Sequence, residues 1–173
     1  MFDILFIHQN FPGQFKHLAP ALVKKKYRVF ALSPKIKAPQ LWQGVNLVPY
    51  QIKRSTSPGI HPWVSDFETK VIRGEALYRK ALELKSLGFQ PDLVFAHPGW
   101  GESVFIKDVW PNTRLAMYCE YYYLLQGGDT DFDPEFFKTD SDISCRLRLK
   151  NLNNILHMHQ ADAGMSPTFW QAN

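Results

Sequence analysis

Apolar runs and amphipathic segments alternate along the chain, and their order predicts an α/β protein. Short apolar runs with few polar interruptions are typical of strands buried on both faces, and they occur at residues 4–7, 27–32, 45–50, 92–97, 113–119 and 163–165. Segments with helical spacing of apolar residues lie between them, at 15–26, 65–87 and 142–160. This alternation favours right-handed crossovers and a parallel sheet. The predicted fold class is therefore α/β: a Rossmann-like, open, mainly parallel β-sheet with helices on both faces.

The helical segments carry finer expectations. Pro20 lies inside the first predicted helix, where it should remove a hydrogen bond and bend the axis. A short helix is expected to begin at Glu102, and Ser166 with Pro167 is typical of the start of another. In the long helix at 142–160, the residues predicted to face inward are Ile143, Leu147, Leu152, Ile155 and Leu156.

Length and composition fit one globular domain. The chain has 173 residues, of which 45% are hydrophobic and 21% charged. Cys119 and Cys145 form neither a disulfide framework nor a zinc-binding spacing. No signal peptide is visible, and no apolar run approaches the roughly 20 residues of a membrane span. We therefore expect a single domain over residues 1–173 and a cytoplasmic location.

The charge is unevenly distributed. Residues 1–80 carry 13 Lys and Arg against 4 Asp and Glu, whereas residues 81–173 carry 7 against 12. A basic half can attract phosphates, nucleic acid or anionic lipid, but it can also be a solvated face. The chain contains no nucleic-acid-binding motif, so nucleic acid is not an expected partner.

Three polar or aromatic stretches follow predicted strands. His8–Gln14 follows the first strand, His97–Glu102 the fourth and Glu120–Tyr123 the fifth. Ligands of open parallel sheets bind beyond the carboxyl ends of the strands. We therefore expect the three stretches to lie along one edge of the sheet and to form a wall of a cleft.

The first stretch offers groups for a phosphate or sugar ligand. Gly13 precedes a predicted helix, where backbone N–H groups can meet a phosphate or sugar oxygen, although a turn glycine gives the same pattern. The spacing matches neither a dinucleotide fingerprint nor a P-loop. His8 can equally be a structural histidine that closes the strand. The candidate binding residues of this stretch are Gln9, Asn10, Gly13 and Gln14.

The other two stretches hold the candidate catalytic residues, His97 and Glu120. A histidine at this edge can donate to a sugar hydroxyl or transfer a proton near neutral pH. Glu120 can accept a hydrogen bond from an acceptor hydroxyl. As alternatives to binding, Trp100 can pack against the protein and Glu102 can complement a helix dipole. The further candidate binding residues are Gly99, Trp100, Glu102 and Tyr121.

Two apparent metal motifs are set aside. Asp129, Asp131 and Asp133 form a D-x-D pattern, which some enzymes of a different fold use to hold a metal ion, and we interpret this segment as an acidic surface loop. His157 and His159 are two residues apart on a helix and therefore point in different directions. No metal site and no cofactor are expected.

Three stretches resemble a known family: Ile7–Phe15, Ala96–Glu102 and Ser166–Thr168. They are similar to parts of the N-terminal domain of a bacterial subgroup of retaining glycosyltransferases, family four, which have the GT-B fold of two Rossmann-like domains. The resemblance implies that residues 1–173 form the N-terminal, acceptor-side domain and that the donor-binding C-terminal domain is absent from this sequence. It also implies that Gly13 belongs to a loop that approaches the donor diphosphate, and that His97 contacts the transferred sugar. Glu120 has no match in the family, so its role rests on position alone.

The resemblance further implies the partners. They are a nucleotide-sugar donor, a sugar or lipid-linked acceptor, and the protein's own C-terminal domain, with peripheral contact at the inner face of a membrane as a compatible feature. The isolated domain should transfer no sugar. The alternative is a non-catalytic Rossmann-like or flavodoxin-like module that binds a ligand or acts as an adaptor.

Overall fold

A computed structural model of the chain, which describes residues 2–127, 135 and 142–172, is built on a seven-stranded sheet. Its strands in chain order are β1 (Asp3–Ile7), β2 (Arg28–Ser33), β3 (Gln40–Trp42), β4 (Val45–Pro49), β5 (Leu93–Ala96), β6 (Arg114–Tyr118) and β7 (Ala163–Met165). The spatial order is β3-β4-β2-β1-β5-β6-β7, and every neighbouring pair is parallel except β3 with β4. The sequence order of the parallel strands thus runs outward in opposite directions from the boundary between β1 and β5.

Helices cover both faces of the sheet, as predicted. The α-helices are α1 (Leu18–Lys24), α2 (Ser65–Ser86), α3 (Ile106–Val109), α4 (Ile143–Gln160) and α5 (Phe169–Ala172), and short 3-10 helices span Gly13–Phe15 and Pro98–Trp100. In the fully buried β1, Ile4 and Phe6 face a core that includes α1 residues, while Leu5 and Ile7 face a second core that includes residues of α2 and α3. The apolar run of β1 is therefore uninterrupted because both of its faces are buried. The expected fold class, a Rossmann-like, mainly parallel sheet with helices on both faces, is confirmed.

The strand β3 was not expected from the sequence. It has three residues and pairs antiparallel with β4 through the turn at Gln43 and Gly44, both of which have positive φ. Such a turn is typical of a tight hairpin. Three residues are too few to give a periodic signal, and Leu41 is 69% exposed, so this edge strand left no apolar run in the sequence.

The expectation for Pro20 was wrong. The predicted helix at 15–26 is divided into the 3-10 helix Gly13–Phe15 and α1, so that Pro20 is the third residue of α1. The first N–H groups of an α-helix have no partner within the helix. Pro20 therefore removes no hydrogen bond from α1.

Near the end of the chain, α5 begins at Phe169 rather than directly after Ser166, and Thr168 Oγ1 accepts from the backbone N–H of Gln171 at 3.3 Å.

The inward face of α4 is polar, which corrects the apolar face predicted from the sequence. Of the five predicted residues, only Leu147 is buried, and Ile155 and Leu156 are 49% and 38% exposed. The buried positions of this helix are instead mainly polar: Asn151, Asn153, Asn154 and His157, with Leu147.

The polar face exists because α4 packs against irregular backbone. Asn151 accepts from the backbone N–H of Tyr123 at 2.9 Å and donates to its carbonyl at 2.6 Å. Asn154 donates to the carbonyl of Tyr121 at 3.0 Å. Backbone outside regular structure needs such partners when it is buried. The asparagines therefore hold the segment after β6 in place.

We expect Asn151→Ala to destabilise the protein by about 1–3 kcal/mol, because it removes the two part-buried hydrogen bonds that this side chain makes to the backbone of Tyr123. Ile155→Ala is the matched control on the same helix and should cost less than about 1 kcal/mol, since this side chain is half exposed. Urea unfolding measures both. A larger loss for Ile155→Ala would contradict this description of α4.

Candidate functional site

A cleft of about 800 Å³ lies beyond the carboxyl ends of β1, β5 and β6. This position includes the boundary between β1 and β5, where the strand order changes direction and where open α/β sheets bind ligands. All three predicted stretches contribute to its lining. Of the ten candidate residues, eight line it: Asn10, Gly13, Gln14, His97, Gly99, Trp100, Glu120 and Tyr121.

His8 begins a chain of hydrogen bonds that ends at Glu120. Its Nδ1 accepts from the backbone N–H of Asn10 at 3.0 Å, so its Nε2 carries the proton and donates to Gln14 Oε1 at 2.6 Å. Gln14 Nε2 in turn lies 3.3 and 3.2 Å from the two carboxylate oxygens of Glu120. Burial lowers the pKa of His8, consistent with a neutral ring in this tautomer. His8 thus orients the amide of Gln14 toward Glu120.

His97 is held in the same tautomer and meets the same carboxylate. It is the N-cap of the 3-10 helix Pro98–Trp100, and its Nδ1 accepts from the backbone N–H of Gly99 at 3.2 Å. The proton is therefore on Nε2, which donates to Glu120 Oε2 at 2.8 Å. The His97 ring contacts the rings of His8 and Tyr118, with centroids 5.4 and 6.0 Å away. These ring contacts and the two hydrogen bonds fix its position.

Glu120 therefore receives hydrogen bonds from two neutral donors, the His97 ring and the Gln14 amide. Its side chain is 25% exposed, and an ionised carboxylate has about four lone-pair sites. Acceptor capacity remains on the side that faces the cleft. Chemically, the pair can accept a hydrogen bond from a ligand hydroxyl at Glu120 and donate one from His97.

Gly13 is required by its close approach to His8. Its φ is +44°, a conformation that favours glycine, and a Cβ at this position would overlap the His8 imidazole. Packing against His8 is therefore sufficient to explain why a glycine occupies position 13. Its predicted place in a donor-binding loop stays a prediction.

Gln9 and Glu102 lie behind the wall of the cleft. Gln9 Oε1 accepts from Arg73 Nη1 at 2.8 Å, and its carbonyl accepts from Ser33 Oγ at 2.7 Å. Glu102 is 1% exposed and precedes α3, which begins only at Ile106, so the prediction that Glu102 starts a helix was wrong. Neither side chain lines the cleft, although both are close to Arg73, which does.

Glu102 is a buried acid with incomplete hydrogen bonding. Neither carboxylate oxygen has a hydrogen-bond partner among the described residues, and the nearest cation is Arg73, with Nη1 3.5 Å from Oε1. Burial raises the pKa of Glu102 to about 7, although Arg73 opposes the shift. Glu102 is therefore about half protonated near neutral pH.

Helices bring further residues to the cleft that were not predicted from the sequence. Lys70 and Arg73 come from α2, and Lys150, Asn153 and Asn154 from α4; Lys16 follows the first 3-10 helix. The uneven distribution of charge was the available signal for the basic residues. It could not identify them, because the helix faces that meet the cleft depend on how the helices pack.

The chain belongs to the glycosyl transferase family 4 group, whose sequence model matches residues 25–173. The match does not include the stretch His8–Gln14. No match is found among curated protein sequences. Family membership establishes a glycosyltransferase-like domain, and it disfavours the adaptor alternative.

Solved structures with the same fold include the apo form of UGT2 from Phytolacca americana, at 14% identity and a TM-score of 0.57, over 98% of this chain and 46% of that one. The same UGT2 complexed with UDP-2fluoro-glucose and pterostilbene matches at 16% identity and a TM-score of 0.57, over 98% and 48%. A putative UDP-N-acetylglucosamine 2-epimerase from Listeria monocytogenes matches at 14% identity and a TM-score of 0.56, over 97% and 40%. The chain thus spans less than half the length of these structures. At this identity they establish the fold.

Within residues 2–127, 135 and 142–172, no helix has both the length and the apolar composition needed to cross a lipid bilayer. Within the same ranges, no three His, Cys, Asp or Glu side chains lie close enough together to hold a metal ion. Asp129, Asp131 and Asp133, the residues of the D-x-D pattern, lie outside the described residues. The cytoplasmic location and the peripheral membrane contact stay predictions.

We expect Glu102→Gln to change how stability depends on pH. The unfolded carboxyl ionises near 4.5 and the folded one near 7, so the folded state retains a proton that the unfolded state has lost between these values. The wild-type protein therefore loses stability as the pH rises through this window, by about 3 kcal/mol in total. The neutral amide of the variant removes this loss.

Urea unfolding at pH 5 and pH 8 tests the prediction as the difference between variant and wild type. His157, whose pKa burial lowers to about 4, contributes a pH dependence of opposite sign, but it is present in both proteins and cancels. The variant should gain stability over wild type at pH 8 relative to pH 5. An equal difference at both pH values would mean that Glu102 ionises normally.

Proposed function

We propose that this chain forms the acceptor-side half of a retaining glycosyltransferase that transfers a sugar from a nucleotide-sugar to a sugar or lipid-linked acceptor. The observation that carries the proposal is the hydrogen-bonded pair His97–Glu120, which lies in the cleft beyond β5 and β6. Membership of the glycosyl transferase family 4 group supports the reaction class. The resemblance of the stretch around His97 to that family supports its contact with the transferred sugar.

Glu120 acts on the acceptor in this proposal. An acceptor hydroxyl that enters the cleft beside the pair can donate to the Glu120 carboxylate, while His97 Nε2–H turns from Glu120 to the donor sugar. This orients a lone pair of the hydroxyl oxygen for attack on the donor sugar. Gln14, held by His8, keeps the carboxylate in position while the bond to His97 is exchanged.

His97 acts on the donor sugar as a neutral hydrogen-bond donor. Its Nδ1 is occupied by the backbone N–H of Gly99, so Nε2–H is the group that can reach a sugar hydroxyl. Gly99 is exposed and has no side chain, which leaves room for a sugar ring. Binding of UDP-2fluoro-glucose by the structural neighbour UGT2 supports a nucleotide-sugar as the donor.

A second domain completes the site in this proposal. The chain spans less than half of each of the three solved structures described above, and in the family it resembles the nucleotide-sugar is held mainly by the C-terminal domain. In such enzymes the leaving diphosphate helps to deprotonate the acceptor. The cleft of this chain supplies the acceptor side and approaches the donor with the loop around Gly13.

We expect His97→Ala in the full-length enzyme to lower the rate of sugar transfer by about 10²-fold or more, because it removes a hydrogen bond to the transferred sugar and one that positions Glu120. His159→Ala is the matched control, since His159 is exposed on α4 and does not line the cleft. Transfer is measured with radiolabelled nucleotide-sugar, and circular dichroism checks the fold. Unchanged rates in a folded His97→Ala protein would remove His97 from the site.

We also expect the 173-residue chain alone to transfer no sugar, because the groups that hold the donor lie mainly in the C-terminal domain. The assay incubates the purified chain with UDP-, GDP- and ADP-sugars and acceptors. Addition of the C-terminal domain as a separate polypeptide is the matched positive arm. Clear turnover by the chain alone would contradict the proposed division of the site.

A further inference from the structure

Helix α2 packs closely against the segment that follows the 3-10 helix Pro98–Trp100, because a glycine lies at each of two contacts between them. A Cβ on Gly101 would lie 2.5 Å from Cβ of Lys70, and the φ of Gly101 is +86°. One turn further along α2, a Cβ on Gly74 would lie 2.6 Å from a methyl carbon of Val104. These contacts fix the helix against segment 101–105. Lys70 and Arg73, which are neighbours at spacing i, i+3, are thereby placed on the wall of the cleft.

Arg73 is held in position and keeps donors that its neighbours do not use. Its guanidinium donates to the amide oxygen of Gln9 at 2.8 Å and lies 5.7 Å from the ring centre of Trp100. Its acidic neighbour, Glu102, is 3.5 Å away and makes no hydrogen bond to it. A guanidinium has five N–H donors, and its side chain here remains 22% exposed. Donors therefore remain for a ligand.

Lys70 provides a second cation beside Arg73. Its side chain is only 11% exposed, so its stem is fixed by packing, and its ammonium pairs with Asp66, which is 56% exposed. Because the Asp66 side of this pair is exposed to solvent, an anion in the cleft can compete with Asp66 for the ammonium. The remaining charged residues that line the cleft are Lys16, Lys150 and Glu120. The basic side chains outnumber the acidic ones by four to two.

From this geometry we propose an anion subsite on the α2 wall of the cleft, in which Arg73 and Lys70 bind a phosphate-type oxyanion. The planar fork of Arg and the point charge of Lys are the usual pair for such a group. Trp100 is 43% exposed and borders Arg73, so a ring attached to the phosphate can stack on it. The oxyanion belongs either to the donor diphosphate or to a phosphorylated acceptor; naming these two sources rests on the proposed function.

Direct titration of the 173-residue chain tests the subsite. Inorganic phosphate is the primary probe, and its binding is measured by calorimetry at low ionic strength. Arg73→Gln removes the fork and keeps one amide donor for Gln9, while Lys70→Gln leaves the contacts of Arg73 intact. Arg79→Gln is the matched control, because Arg79 is on the same helix, 69% exposed, and outside this cleft.

We expect Arg73→Gln and Lys70→Gln each to weaken phosphate binding by about fivefold or more, and Arg79→Gln by less than about twofold. Titrations with uridine diphosphate and glucose 6-phosphate then distinguish the sources. If the cleft variants lose affinity only for the diphosphate, the subsite belongs to the donor. If they lose affinity only for the sugar phosphate, it belongs to the acceptor. If they lose affinity for both, the subsite accepts a phosphate group from either source.

The proposal is overturned if wild-type protein does not bind phosphate, if both cleft variants bind it as wild type does, or if Arg79→Gln loses as much affinity as they do. Thermal unfolding monitored by circular dichroism checks that each variant is folded. If Arg73→Gln does not fold, the phosphate affinity of Lys70→Gln alone tests the subsite. Because these titrations need no turnover, their failure leaves the test of His97 unaffected, and a failure of sugar transfer leaves them valid.

Discussion

The geometry of the cleft depends on one kind of hydrogen bond, from a backbone N–H to a histidine ring, which occurs at two positions. Each of His8 and His97 directly follows a central parallel strand, and each accepts from the backbone N–H two residues further on. This bond uses Nδ1, so the proton of each neutral ring lies on Nε2 and points toward Gln14 or Glu120. If either ring were rotated or doubly protonated, its backbone donor would lose its acceptor. The backbone at the ends of two adjacent strands thus sets the direction of the polar groups around Glu120.

The sheet and its functional edge could be predicted from the sequence because they depend on local patterns. Strands buried on both faces leave apolar runs, and the parallel arrangement then places whatever follows them at one edge. His97, Glu120 and the loop around Gly13 accordingly lie in one cleft. That Gln9 and Glu102 do not line it could not be predicted, since the direction of a loop side chain is set by contacts with distant residues such as Arg73.

The errors on helices have a common physical origin. Helical periodicity predicts which residues share a face, but it assumes that the buried face is apolar. On α4, the buried face meets irregular backbone around Tyr121 and Tyr123, so asparagines are buried and Ile155 is exposed. On α2, Lys70 is buried beside a glycine turn and reaches the cleft. In both helices the neighbour that decides the composition of the face is a loop, which leaves no periodic signal.

The buried pair of Arg73 and Glu102 links the sheet edge to the charge of the cleft. A fully ionised and closely hydrogen-bonded Glu102 would neutralise Arg73 and leave the α2 wall with little positive charge. Instead the carboxyl is buried, makes no hydrogen bond among the described residues, and has its pKa raised to about 7. Since Arg remains charged at any physiological pH, partial protonation of Glu102 leaves net positive charge at the cleft wall. Burying an acid behind Arg73 thus fixes the guanidinium while leaving positive charge on the cleft wall, which is the condition that the proposed anion subsite requires.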